Sequence, residues 1–227
     1  MTFADMAIIA LLGAVLGLDT VSFPQAMYSR PIVACTVTAG LLGAAPAGLL
    51  LGALVEAFAL ETLPVGAARY PEWGSSSAVG GALVATSPQF TAGSMLTAVV
   101  ATVLMAWLGG WSMVQLRRLN ARWAHQRQAF VNAGSRRDVI GLQLYGISAD
   151  LLRGAVMTVV GLLVFAPLYA RSLETWGIGL GATRLLLISL AGVAAVGAVY
   201  KVFHATPRTG WYFLLGLGLG LLVLVLR

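Results

Sequence analysis

Long apolar stretches with few charged side chains are the feature that most restricts the fold of this chain. Two of them, Ile32 to Leu60 and Ala78 to Trp107, are longer than the roughly 20 residues that one helix needs to cross a bilayer. Only 10% of the 227 residues are charged, against about 25% in an ordinary soluble domain. We therefore predict an all-α integral membrane protein with several spans, because helices satisfy their own backbone hydrogen bonds in lipid.

Both long stretches are interrupted near their middle. Gly43 and Pro46 divide the first, and the run from Thr86 to Gln89 divides the second. Each stretch is predicted to form a hairpin of two shorter arms. The apolar run from Met6 to Leu18 is too short to span and indicates a half-span or re-entrant arm. Paired interrupted segments are typical of transporters with a binding site near the midplane of the membrane.

A dense polar cluster follows the first arm. Its members are Asp19, Ser22, Pro24, Gln25, Ser29, Arg30 and Pro31. Such a cluster cannot face lipid unpaired, so its backbone is predicted to line protein or water.

A basic region follows Trp111. Seven of the fourteen basic residues lie between Arg117 and Arg153, and cytoplasmic loops carry such an excess. Apolar residues at helical spacing predict an amphipathic connector on the cytoplasmic membrane surface, and no nucleic-acid binding is expected. The predicted regions are a hairpin core with a substrate site (1–112), the connector (113–150) and C-terminal transmembrane helices (151–227).

The first hairpin carries a smooth helix face that ends in a carboxylate. Gly48, Gly52 and Glu56 recur every four residues and therefore share one face. Glycines admit a second helix or a ligand, and a carboxylate within a membrane needs a partner. The face either lines a binding site or forms a packing seam with Glu56 paired to an arginine such as Arg30 or Arg69.

The segment between the hairpins combines Glu61, Arg69, Tyr70, Glu72 and Trp73. Carboxylates beside an aromatic ring suit a hexose, which presents hydroxyls and an apolar ring face. An interfacial turn with Trp73 as a membrane anchor has the same composition, so both interpretations stay open. The sequence has no phosphate loop, metal-ligand spacing or nucleophile elbow, and no cofactor or metal is predicted.

The chain resembles the IIC membrane subunit of the mannose/fructose/sorbose family of bacterial sugar phosphotransferase systems. The stretches that carry the resemblance are SRPIVACTVTAGLLG (29–43), GLLLGALVEAFAL (48–60) and PVGAARYPEWGSSSAVGGALVA (64–85). It implies a multi-pass subunit of the bacterial inner membrane that moves a hexose by an elevator-type motion with a IID subunit, in a trimer of IIC–IID pairs. It also implies that the chain is no enzyme by itself, because the IIA and IIB proteins carry the phosphate.

Several positions depart from the family pattern. Members typically have glycine, asparagine and aspartate where this chain has Glu61, Pro64 and Glu72. A common glutamine position falls on Met27, with Gln25 two residues upstream. These departures keep open a second function, a non-transporting membrane scaffold or regulatory subunit that retained the fold.

The predicted substrate residues are Glu56, Glu72, Gln25, Trp73, Arg30 and Asp19. The two glutamates and the glutamine would hydrogen-bond to sugar hydroxyls, the indole would stack on the ring, and the arginine would position or neutralise a carboxylate. A third possibility, an ion or proton channel with Asp19, Glu56 and Glu61 as relay groups, lacks a continuous polar helix face.

Overall fold

The computed structural model describes residues 2–60, 69–87, 91–176, 180–204 and 209–225. Within these ranges the chain forms helices and no strands, which confirms the predicted all-α class. The helices are α1 (Phe3–Asp19), α2 (Pro31–Leu41), α3 (Ala45–Ala59), α4 (Trp73–Ala85), α5 (Ala92–Gln126), α6 (Gln128–Asn132), α7 (Arg136–Thr175), α8 (Leu180–His204) and α9 (Thr209–Val225).

The first long stretch is a helical hairpin, as predicted. Pro31 begins α2, a position where its missing N–H costs nothing. The turn after α2 contains Gly43 at φ +81°, a conformation that glycine adopts without strain. Pro46 then lies in the first turn of α3. The break therefore follows from local backbone preferences.

The glycine face of α3 is a packing seam against α2. A Cβ atom at Gly48 would lie 2.3 Å from the carbonyl oxygen of Cys35, and one at Gly52 would lie 2.8 Å from the carbonyl oxygen of Pro31. Close backbone approach of this kind is how helices associate without a hydrophobic driving force.

The second stretch is also divided, since α4 ends at Ala85 and α5 begins at Ala92. Thr91 caps α5 by accepting a hydrogen bond from the Ser94 backbone N–H. Pro88 and Gln89, which helped to predict the break, lie outside the described residues.

The connector is built from the ends of two long helices. At 35 and 40 residues, α5 and α7 are about 52 and 60 Å long, and each contains an apolar stretch long enough to cross a membrane. The helix α5 runs unbroken across the predicted boundary near 113, and α7 runs unbroken across the one near 150. The short helix α6 lies between them. The Trp123 and Tyr145 rings meet edge to face at 4.5 Å.

An ion pair closes the tip of the connector, where Arg127 Nη1 lies 2.8 Å from Asp138 Oδ1. The Ser135 hydroxyl and then Arg127 hold the pKa of Asp138 below its ordinary value. How the connector lies relative to the membrane stays a prediction.

The helix α4 lies at the centre of the bundle and contacts α1, α2, α3, α5 and α7. Every residue from Trp73 to Val84 is buried, including the serines at 75–77. Because α7 also packs against α1 and α5, the helix that opens the predicted C-terminal region shares one bundle with the first 112 residues. Apolar side chains such as Leu104, Leu163 and Ile188 point outward, which suits a lipid surrounding.

Candidate substrate site

A non-helical segment, residues 69–72, enters the bundle just before α4 and lies against α5. The backbone N–H of Glu72 donates to the carbonyl oxygen of Ala106 at 2.8 Å. Two glycines of α5 make room for the segment. A Cβ atom at Gly110 would lie 2.2 Å from the Tyr70 carbonyl oxygen, and one at Gly109 would lie 3.0 Å from Glu72 Cβ. Irregular backbone inside a membrane protein is tolerated where it is buried in protein or lines a cavity.

Two arginines flank this segment. The Arg117 guanidinium lies over the Tyr70 ring, 5.1 Å from its centroid. Arg69 lies over the Trp107 ring at 5.8 Å, so its described contact is with an indole and not with Glu56. Both are cation–π contacts between the segment and α5.

The carboxylate of Glu72 caps the N-terminus of α4. Its Oε1 accepts a hydrogen bond from the Ser75 backbone N–H at 3.0 Å, and the Ser75 hydroxyl donates to Oε2. The residue is fully buried. A negative charge at this end of a helix is favoured by the helix dipole.

A second charged residue meets Glu72 inside the bundle. Arg153 of α7 lies with Nη1 3.5 Å from Glu72 Oε2, and its Nε donates to Asp150 at 2.8 Å. Its Nη1 also lies 3.4 Å from the Ser112 hydroxyl, and the Ser22 hydroxyl donates to Asp150. This buried charge network, Glu72, Asp150 and Arg153, therefore connects α4, α5, α7 and the loop after α1.

Asp19 organises the loop after α1. Its carboxylate is buried and accepts from the backbone N–H groups of Ala26 at 2.6 Å and Ser29 at 2.9 Å. Gln25 lies exposed on this loop, where its side-chain amide donates to the Val21 carbonyl oxygen at 3.0 Å. The two predicted substrate residues thus lie on one ordered turn, which Asp19 holds against the end of its helix.

Glu56 and Arg30 form the ion pair that one of the two interpretations required. Arg30 Nε donates to Glu56 Oε1 at 2.6 Å, and the Ile32 backbone N–H donates to Oε2 at 3.1 Å. The carboxylate therefore also satisfies the N-terminus of α2. Substrate binding by either side chain stays a prediction.

Trp73 lies in the hydrophobic core with 6% of its surface exposed. The ring is not at the lipid surface, and a sugar could reach its face only if the helices around α4 moved apart. Stacking on a sugar stays a prediction.

Of the six predicted residues, Arg30 and Glu56 contact each other directly. Asp19 and Gln25 share the loop after α1, and Glu72 and Trp73 are neighbours at the start of α4. Glu61 and Pro64 lie outside the described residues. Among the residues that the structure describes, no cluster of three or more His, Cys, Asp or Glu side chains is placed to hold a metal.

The sequence-based prediction missed Asp150 and Arg153, which were assigned to the charges of the connector. A signal was present, because the two residues are three apart on one helix face and are followed by apolar residues on the same helix. Ionisable residues inside a spanning helix indicate a functional site by default.

Known proteins of similar sequence and fold define the family. A family model described as the sorbose-specific IIC component of the phosphotransferase system matches residues 3–216. The fructose permease IIC component of Bacillus subtilis is 24% identical over 72% of this chain and 58% of its own length. The mannose-specific EIIC component of Escherichia coli K12 is 24% identical over 46% of this chain and 44% of its own length.

A solved structure titled only as a membrane protein superposes on all of this chain and 94% of its own, with a TM-score of 0.74 and 19% identity. This likeness shows the fold alone. The alignments span about half the length of the two named relatives, whereas the family model covers nearly the whole chain. The chain belongs to the IIC family of mannose- and sorbose-type phosphotransferase systems, whose members are integral membrane proteins.

Proposed function

We propose that this chain is the sugar-translocating IIC subunit of a mannose-family phosphotransferase system in the bacterial inner membrane. It moves a hexose together with a IID-type membrane subunit, by an elevator-type motion of the hairpin core. The observation that carries the proposal is the buried non-helical segment ending in Glu72, beside Arg153. Family membership and the sugar names of the two relatives agree with it.

The chemistry of this segment suits a polyhydroxyl ligand. Carboxylates accept hydrogen bonds from hydroxyls, and a guanidinium donates to them. Ionisable groups inside a membrane are costly unless they pair or function. In the proposal Glu72, Asp19 and Gln25 contact hydroxyls and Trp73 stacks on the ring. Glu56 also accepts from a hydroxyl, and Arg30 positions or neutralises a carboxylate.

The partners follow from the same proposal. Phosphate is carried by IIA and IIB proteins, and the membrane part is a trimer of IIC–IID pairs. The two interrupted hairpins, α2–α3 and α4–α5, pack against each other through α4. In the proposal they move as a unit, and the breaks between their arms place irregular backbone at the site.

One observation favours a second function, a non-transporting scaffold. Each predicted carboxylate already has protein partners: Glu56 binds Arg30, Glu72 binds Ser75, and Asp19 binds two backbone amides. A chain that retained the fold and lost its substrate would have the same arrangement.

Equilibrium binding separates the two functions. The purified protein is titrated with mannose, fructose and sorbose, alone and co-expressed with a IID-type subunit. We expect saturable binding that requires the partner, and Glu72→Gln should weaken it about tenfold to a hundredfold. The matched control is Glu174→Gln, since Glu174 is 70% exposed. Absence of binding to every sugar in both preparations would contradict the transport proposal for these sugars and favour the scaffold.

A further inference from the structure

Among the described residues, one nitrogen of the buried charge network has no hydrogen-bond partner. The Arg153 side chain is 8% exposed, and its Nε and Nη1 atoms are engaged by Asp150, Ser112 and Glu72. Its Nη2 is buried and has no hydrogen-bond acceptor among the described residues. An orphaned donor on a buried charged group is costly, so it indicates a missing acceptor.

The free nitrogen lies against the bare surface of Gly17 in α1. A Cβ atom at Gly17 would lie 3.4 Å from Arg153 Nη2 and 3.7 Å from Glu72 Oε1. The Nη2 donor and the Oε1 acceptor therefore flank one point beside Gly17, which also lies 3.7 Å from the Cα atom of Gly154. A ligand could reach both atoms only if α1 moved away from α4 and α7, against which it packs.

The charges around this point determine whether an anionic or a neutral ligand fits there. Glu72 and Asp150 bring two negative charges and Arg153 one positive charge. A phosphate or other anion is repelled by the excess carboxylate. A neutral hydroxyl fits, because it accepts from Nη2 through its oxygen and donates its own hydrogen to Oε1.

We propose that Arg153 is a substrate-contacting residue, whose Nη2 donates to a hexose hydroxyl that in turn donates to Glu72. This assignment rests on the proposed function and adds to it a side chain of α7. Hydrogen bonds to charged groups are among the stronger polar contacts, so the contact contributes both affinity and a preference for one hydroxyl of the sugar.

Two variants remove the contact by different routes. Arg153→Lys retains a positive charge near both carboxylates and loses the planar fork with its Nη2 atom. Gly17→Ala places a methyl group in ordinary van der Waals contact over Nη2 and leaves the ion pairs in place. The control is Gly40→Ala in α2, whose methyl would meet only Ala45 Cβ at 3.5 Å.

The measurement is equilibrium binding of the best hexose and its monodeoxy analogues to the co-purified IIC–IID complex. Wild-type protein should bind one deoxy analogue about tenfold to a hundredfold more weakly than the parent sugar. Both variants should bind the parent sugar more weakly by the same factor and no longer discriminate against that analogue. Gly40→Ala should retain affinity and discrimination.

Three results would overturn the assignment, and they are distinguishable. If Arg153→Lys weakens every analogue equally, the residue only supports the site. If both variants retain wild-type affinity and discrimination, Arg153 does not touch the sugar although the proposed function stands. If wild-type protein binds no hexose, the proposed function and this assignment fall together.

Discussion

The pair of Arg30 and Glu56 offers a quantitative test of what the carboxylate of the first hairpin does. Glu56→Gln preserves size and removes charge. In the structure this carboxylate binds Arg30 Nε at 2.6 Å and the Ile32 backbone N–H at 3.1 Å, with the two side chains 24% and 18% exposed. Exposed ion pairs contribute about 0.2–1 kcal/mol, and breaking buried ones costs about 3–5 kcal/mol. We expect Glu56→Gln to lower the free energy of unfolding by about 1–2 kcal/mol.

The assay is a double-mutant cycle on unfolding in detergent micelles, followed by circular dichroism. Arg30→Gln should destabilise by a similar amount. The double variant should lose about 1 kcal/mol less unfolding free energy than the sum of the two single losses, because two amides can still hydrogen-bond to each other. That difference is the coupling energy of the pair. Glu174→Gln serves as the control, since its pair with Arg171 is exposed and 3.8 Å long, and it should leave stability unchanged.

Additive effects of the two substitutions would refute this reasoning, because independent side chains show no coupling. A Glu56→Gln protein with wild-type stability that no longer binds hexose would assign the carboxylate to the substrate. Loss of stability and binding together, both partly restored by Arg30→Gln, would identify the pair as a structural element of the hairpin.

Two further predictions concern packing and topology. Gly74→Ala should destabilise the bundle by about 1–3 kcal/mol, because its methyl would lie 2.2 Å from the Leu16 carbonyl oxygen; a melting temperature equal to that of Gly40→Ala would contradict it. A cysteine replacing Ser135 should react with an impermeant thiol reagent only in opened cells, because the surrounding basic residues predict a cytoplasmic connector. Labelling in intact cells would place it outside, and the background is low because Cys35 is buried.

The features that the sequence predicts correctly depend on residues close together along the chain. The helical membrane class follows from the scarcity of charge, since lipid leaves backbone groups no partners except one another. The breaks after Leu41 and Ala85 follow from glycine, proline and short polar residues close to them along the chain. The glycine spacing in α3 likewise indicated a face that could admit another helix, and left open whether a helix or a ligand occupies it.

What the tertiary structure decided is which distant groups share the interior. Packing of α7 against α1, α4 and α5 brings Arg153 to Glu72, and Asp150 pairs with the same arginine. The close approach of segment 69–72 depends on Gly109 and Gly110, nearly forty residues later. The spacing of residues along a helix predicts which of its faces is small or charged. It does not predict which other helix packs against that face. The sequence alone therefore predicts the spans and their breaks, whereas the charge network exists only because helices from separate parts of the chain exclude lipid and water together.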